Sequence, residues 1–321
     1  MKIAVVLFNL GGPDSLDAVE PFLFNLFSDK DIFKLPFGQK LFAKIISSKR
    51  APKVQKEYEL IGGKSPINEW TEIQRKMLEL KLQNDFKDIS VFTAMRYWNP
   101  ITADVAKKIK EQNFDKIILL PLYPHYSIST TGSSFNEWDR CFSPIKEKVF
   151  RVKNYQTNPF YVSAINERID QTILRFPENV RNNIQLVFSA HGTPISMVKS
   201  GDPYSHHIKE TIEKVMDGRN YSHKHHICFQ SKVGPVKWLT PATDAMIEEL
   251  AADKKNNLLI IPISFVSDHV ETSFELNIEY RHVADKVGIK NYIVMEGLNN
   301  SELFIDALKD EVIKILHTEN S

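Results

Sequence analysis

The sequence predicts an α/β fold of two similar halves, each a parallel sheet flanked by helices. Three observations predict it. Apolar runs of strand length alternate with amphipathic runs of helix length along the chain, which is the pattern of a mostly parallel sheet with helices on both faces. The pattern is written twice. Pro100 to Pro121 and Pro241 to Pro262 both span 21 residues, with Thr102 matching Thr243 and Ile118-Leu119-Leu120-Pro121 matching Leu259-Ile260-Ile261-Pro262. Finally, 321 residues that are 42% hydrophobic and 25% charged suffice for two ordinary cores.

In order, the first strand is Ile3–Asn9. Gly11-Gly12-Pro13-Asp14 after it reads as a turn rather than a leader-peptide cleavage site. Further strands fall at Ile89–Ala94, Lys116–Leu120, Lys148–Val152, Ile184–Ser189, His226–Gln230, Leu258–Ile263 and Asn291–Met295. Helical periods fall at Leu16–Phe27, Trp70–Gln83, Ala103–Glu111, Val162–Arg175, Ser205–Asp217, Ala242–Ala252, Glu271–Val287 and Glu302–His317. The opening strands also match, Leu7-Phe8-Asn9-Leu10 against Val187-Phe188-Ser189-Ala190. The halves are expected over 1–160 and 161–321, with the last helix returning to the first half.

The first half is longer by about 39 residues, assigned to an insertion from Leu26 to about Gly63. It carries Phe27, Phe33, Leu35, Phe37, Leu41, Phe42, Ile45 and Ile46 interleaved with Lys34, Lys40, Lys44, Lys49 and Arg50. Two readings fit: an apolar face beside lysines that rests on a membrane or lines the mouth of an apolar pocket, or a helical subdomain packed on its own half.

A net charge of +1 gives no basic face for nucleic acid. Cys141 and Cys228 cannot alone build a Cys₄ zinc site or an iron–sulfur cluster, and free thiols are expected. No run approaches the ~20 apolar residues of a membrane span, so a cytoplasmic location is expected. Gly11-Gly12 lacks the G-x-G-x-x-G fingerprint of dinucleotide binding. His223-Lys224-His225-His226 reads as a surface loop entering a strand.

Three segments carry chemistry. In Phe188-Ser189-Ala190-His191-Gly192-Thr193-Pro194, an imidazole stands at a strand's carboxyl end, where open α/β sheets bind ligands. A structural histidine would also satisfy that spacing alone. Ser264 to Tyr280 likewise follows a strand, opens with Asp268 and His269, and repeats Glu271, Glu275 and Glu279 every four residues. On a helix these form one acidic row. That row is either a solvated face or a path for a cation such as Fe²⁺ or for protons. The loops Pro121–Ser133 and Gln230–Pro241 supply Tyr123, Ser127 and Trp238 among small residues, which suits a flat apolar ligand or ordinary loop packing.

The chain resembles the ferrochelatases over almost its whole length. The resemblance rests on Leu7–Pro13, Tyr58–Pro66, Met95-Arg96-Tyr97, Tyr123–Ser134, Ser189–Pro194, Ser231–Pro235 and Ser267–Thr272. It implies two Rossmann-like, chelatase-type halves with four-stranded sheets and a porphyrin cleft between them. It also implies that His191 and Glu271 are the catalytic and iron-binding residues, with Glu275, Glu279, Asp268 and His269 as a proton or iron relay. Arg96, Tyr97, Tyr123, Ser127 and Trp238 are implied as porphyrin-binding, and the apolar insertion as a lip that touches the membrane peripherally. The partners are then protoporphyrin IX and Fe²⁺, the iron a substrate, with no tightly bound cofactor. The tail Leu316–Ser321 has no cysteine cluster, so no iron–sulfur centre is expected. The Ser231–Trp238 loop looks like the protoporphyrin-using type, and Asn277 stands where many relatives carry Asp.

The reaction this implies is insertion of Fe²⁺ into protoporphyrin IX with loss of two protons, the last step of haem synthesis. Closing on a bent macrocycle would favour the transition state over the flat substrate. His191, expected to be neutral near pH 7, would accept a pyrrole proton or ligate iron. One lone pair cannot do both at once, so the roles must alternate. Other occupants of the scaffold are a chelatase for coproporphyrin III or cobalt, and a non-catalytic porphyrin or haem carrier.

Overall fold

The structure, a computed structural model, describes residues 1–33, 37–142, 148–232 and 236–318. Lys34 and Leu35 of the insertion, Val233, Gly234 and Pro235 of the second aromatic loop, and the last three residues lie outside the described residues. The chain divides into two compact units, one of Met1–Tyr155 with the C-terminal helix from Phe304, the other of Gln156–Leu303.

The first unit runs β1 (Ile3–Asn9), α1 (Val19–Phe27), α2 (Gln39–Glu59), α3 (Ile67–Gln83), β2 (Ile89–Met95), α4 (Thr102–Gln112) and β3 (Lys116–Pro121). A π-helical turn (Ile128–Gly132), α5 (Ser133–Cys141) and β4 (Val149–Arg151) follow. Its sheet has the order β2-β1-β3-β4 with every pair parallel. Central β1 is buried at every position, as a parallel strand covered on both faces must be. Trp138 of α5 is fully buried, its ring 5.9 Å from Phe8 and 4.8 Å from Phe142. On edge strand β2, α3 covers Val91: its N–H donates to Glu79 Oε1 (2.9 Å) and its carbonyl accepts from Arg75 Nη1 (3.2 Å). An exposed strand edge is thereby blunted.

The second unit runs α6 (Pro159–Ile173), β5 (Gln185–His191), α7 (Ile195–Lys199), α8 (Tyr204–Gly218), β6 (Lys224–Gln230), α9 (Thr243–Ala252) and β7 (Asn257–Pro262). A π-helix (Glu271–Glu279), α10 (Tyr280–Lys286) and β8 (Asn291–Val294) follow. Its sheet order, β6-β5-β7-β8, is again parallel throughout. The last helix, α11 (Glu302–Thr318), is tied to α3 by Lys81–Asp306 and to Asp85 by Lys309 (2.6 Å).

The internal repeat is structural, but its register differs by one residue from the sequence match. Asn9 pairs with Met95, whose N–H donates to Pro100 O; Ala190 pairs with Phe229, whose N–H donates to Pro241 O. Likewise Phe8 pairs with Pro121 and Ser189 with Pro262. Asn9 therefore corresponds to Ala190, not Ser189, and Leu10 to His191. The similar strings aligned on their phenylalanines, yet a shift of one residue in a strand exchanges its two faces. The helix expected over Glu271–Val287 is also two pieces, π and then α.

The insertion contains helix α2, packed on α1 through buried Gln39, Ala43, Ser47 and Ala51. The Phe42 ring lies 6.5 Å from Phe27 and 6.3 Å from Phe33. Phe37, Leu41 and Ile45 remain exposed (91%, 64% and 57%) beside exposed Lys40, Lys44 and Lys49.

Candidate active site

His191 is the last residue of β5, so its ring leaves the sheet at the carboxyl edge. Its backbone is held on both sides: the N–H donates to Ser264 Oγ (2.8 Å), and the carbonyl accepts from Tyr204 Oη (3.1 Å). Gly192 follows because no side chain fits there. A Cβ would lie 2.6 Å from Gln230 O and 3.3 Å from the Trp238 ring, while the Gly192 N–H donates to that same Gln230 carbonyl at 2.8 Å.

Glu271 opens the π-helix. Its Oε2 lies 2.9 Å from His191 Nδ1 and 3.9 Å from His269 Nε2. The two half-buried partners reinforce each other's charge. Burial opposes the imidazolium of His191, but the Glu271 carboxylate outweighs it and raises the histidine's pKa above 6.5. Burial likewise opposes the Glu271 carboxylate, and His191 with His269 overrides it, holding that group well below the usual carboxylate range. A carboxylate at 2.9 Å makes this imidazole a stronger base than a free one. The contact engages Nδ1 and leaves Nε2 as the ring nitrogen not facing Glu271.

Asp268 and His269 shape the entry to the π-helix. Asp268 Oδ1 accepts from Thr272 Oγ1 (2.9 Å) and Gly297 N (3.1 Å), and Oδ2 accepts from Asn299 Nδ2 (2.7 Å). Its carboxylate thus locks the loop to the segment after β8. His269 is buried with its ring 4.2 Å from Phe265, and its Nε2 makes no hydrogen bond.

The acidic row is uneven. Glu275 accepts from the backbone N–H of Ser231 (2.9 Å), from Ser231 Oγ, and from Tyr280 Oη (3.2 Å). Burial and the nearby Glu271 charge nevertheless push its carboxyl up to about 6. Glu279 is exposed. From inside to outside the row therefore passes from an ionised carboxylate, through one that titrates near neutrality, to one in solvent. π-Helices are rare and concentrate at functional sites; this one begins at Glu271 and ends at Glu279. Trp238, half-buried, is held by a bridge to Pro194 beside Gly192, with its indole Nε1 unpaired.

The remaining predicted residues lie in the first unit. Arg96 follows β2; its Nε donates to Ser133 Oγ (2.8 Å) and its Nη2 pairs with Asp29 Oδ1 (3.0 Å). Tyr97 is fully buried and donates its hydroxyl to Asp29 Oδ2 (2.7 Å). Tyr123 and Ser127 are buried, and Ser127 Oγ accepts from Ser129 N (3.3 Å) to cap the first unit's π turn. Of the first-unit candidates, Arg96 keeps some side-chain exposure, 12%.

Sequence reasoning missed the supports: Ser264 and Tyr204 for His191, Asn299 for Asp268, and Asp29 for Arg96. Only Asp29 carries a sequence signal, as one of two acids, with Asp31, set between Phe27 and Phe33. Among the described residues no three His, Cys, Asp or Glu side chains converge as a metal cage, and no helix is long and apolar enough to cross a membrane.

A family model described as Ferrochelatase matches residues 2–316. A protein named ferrochelatase from Citrifermentans bemidjiense is 46% identical over 315 residues, covering 97% of this chain and 98% of that protein. Another from Aquifex aeolicus is 44% identical over 316 residues, covering 97% and 99%. Among solved structures, SirB from Bacillus subtilis with Fe³⁺ superposes with a TM-score of 0.60 at 13% identity, covering 100% of this chain and 98% of that one. At that identity the likeness shows the shared fold alone.

Proposed function

The chain belongs to the ferrochelatase family, and on that premise we propose that it inserts Fe²⁺ into protoporphyrin IX with His191 and Glu271 as the reacting protein groups. As a member of that family it is an enzyme that places metal in a porphyrin, a lyase of the last step of haem synthesis. The observation that carries the site is the 2.9 Å contact from His191 Nδ1 to Glu271 Oε2 at the carboxyl edge of the sheet.

The contact supports a division of roles. With its Nδ1–H donated to Glu271, His191 presents the Nε2 lone pair, and the carboxylate strengthens it as base or ligand. Nε2 then accepts a pyrrole proton. Glu271 remains ionised and holds the arriving iron. Insertion exchanges two pyrrole protons for one Fe²⁺, and both protons must leave. Glu275, titrating near 6, can take a proton at neutral pH and release it towards Glu279 and solvent. A donor pair, in place of a closed cage, suits an iron that must be handed on to four porphyrin nitrogens. Asp268 and His269 support this path by fixing where the π-helix starts. Arg96, Tyr97, Tyr123 and Ser127 in the first unit and Trp238 in the second are the residues the family resemblance assigns to the porphyrin. A cytoplasmic enzyme resting on the membrane through Phe37, Leu41 and Ile45 accords with the apolar tip of the insertion.

The test is an anaerobic assay of the purified protein with Fe²⁺ or Co²⁺ and protoporphyrin or coproporphyrin, followed by absorbance. Fastest insertion of Fe²⁺ into protoporphyrin is expected. Preference for coproporphyrin or cobalt would reassign the substrate, and porphyrin binding without insertion by either metal would make the protein a carrier.

A further inference from the structure

We propose that Asp29 is a positioning residue, a buried carboxylate that fixes the guanidinium of Arg96 for porphyrin binding and fastens the base of the insertion to the same point. The inference rests on the reading above that Arg96 faces the porphyrin. Asp29 stands two residues after the end of α1, and its side chain is 0% exposed. Four donors converge on it. Oδ1 takes Arg96 Nη2 (3.0 Å) and the backbone N–H of Asp31 (2.8 Å); Oδ2 takes Tyr97 Oη (2.7 Å) and Ser133 Oγ. These come from the end of β2, the start of α5 and the first residues of the insertion.

A buried ion pair is weak support for stability, because desolvating both charges offsets their attraction. What such a pair does well is to fix geometry. Arg96 is held at Nη2 by Asp29 and at Nε by Ser133, which itself donates to Asp29. Two points in the plane of a guanidinium determine its orientation. Nη1 has neither of these bonds, and the side chain keeps 12% of its surface. The same carboxylate anchors the insertion: Asp31, whose N–H it holds, accepts from Asn136 Nδ2 (3.0 Å) and Arg140 Nη2 (2.8 Å) of α5, and the Phe33 N–H donates to the Asp29 carbonyl (2.9 Å). An arginine for the ligand and the root of the apolar insertion thus share one fixed charge. Tyr97, fully buried, acts on the ligand through this carboxylate.

A double-mutant cycle on the dissociation constant of protoporphyrin, read by quenching of protein fluorescence, tests this. Arg96→Met and Asp29→Asn are each expected to weaken binding about tenfold, the scale of one hydrogen bond to a charged group. The double variant is expected to be no weaker than Arg96→Met alone, because coupled groups are non-additive. The KM for Fe²⁺ should not change. If Asp29→Asn does not fold, Tyr97→Phe removes one donor from Asp29 and should show a smaller loss that also vanishes in the Arg96→Met background. Losses that multiply, or an unchanged dissociation constant in both Asp29→Asn and Tyr97→Phe, would overturn the positioning role. An unchanged constant in Arg96→Met would instead overturn the reading of Arg96 itself, and the proposal with it.

Discussion

His191 and Glu271 lie 80 residues apart in sequence and 2.9 Å apart in space, and each sets the other's proton affinity. His191 must lose its extra proton before Nε2 can act, so the acid limb of kcat/KM should follow its raised pKa. Glu271→Gln removes the carboxylate that raises it and leaves the burial that lowers it. The acid limb should therefore move to lower pH while the rate falls; a limb that stays in place would show that another group controls it. Gly192 makes a separate prediction. Gly192→Ala drives a Cβ to 2.6 Å from a carbonyl oxygen and should cost about 1–3 kcal/mol, measured by denaturant unfolding. Sequence revealed His191, Gly192 and the glutamates because strand ends and four-residue spacing are local signals. Ser264, Tyr204 and Asp29 stayed hidden because their roles exist only through long-range contacts, with nothing periodic to mark them.

At the scale of elements, the π-helix decides what the acidic row can do. Its like-charged carboxylates would repel on any helix. Here Ser231 holds Glu275 by its N–H and its hydroxyl, so the middle carboxylate is bound while the outer one meets solvent. Glu275→Gln should lower kcat for insertion several-fold with little change in porphyrin affinity; an unchanged kcat would remove it from the proton path. Helix α2 carries the other element-scale prediction. Leu41→Glu with Ile45→Glu should abolish co-sedimentation with anionic phospholipid vesicles and leave turnover in detergent near normal, since both side chains point to solvent. Undiminished co-sedimentation would exclude this face as the membrane contact. The long strands and helices were legible from apolar period alone. The division of Glu271–Lys286 into π and α pieces was not, because a period of four fits either geometry. A helical insertion was one of the two readings, but the bounds of α2 were hidden for a related reason: apart from Tyr58 its buried positions are Gln, Ser and small Ala, so apolar Leu41 and Ile45 mark the exposed side.

Across the whole molecule, the duplicated architecture carries different chemistry in its two halves. Both place a π segment and then an α-helix after the third strand, but Leu10 occupies the position of His191. The repeat showed in its prolines and aliphatic endings; its register did not, because strings of buried residues slide without penalty until strands pair. The reacting pair also affects overall stability. His191, with its pKa raised, contributes fully below 6.5 and loses that contribution as pH climbs through its folded value. Glu271, with its pKa lowered, contributes fully above 4.5 and loses it as pH falls through its folded value. The pair therefore stabilises most between 4.5 and 6.5. The melting-temperature gap between the parent protein and Glu271→Gln should be widest there and narrow as pH rises above 6.5; a gap independent of pH would exclude the ion pair. The most direct test of the site is the anaerobic rate of Fe²⁺ insertion into protoporphyrin by His191→Ala with both substrates saturating. A fall of at least ~10² with porphyrin still bound is the predicted result, and turnover close to that of the parent protein would contradict it.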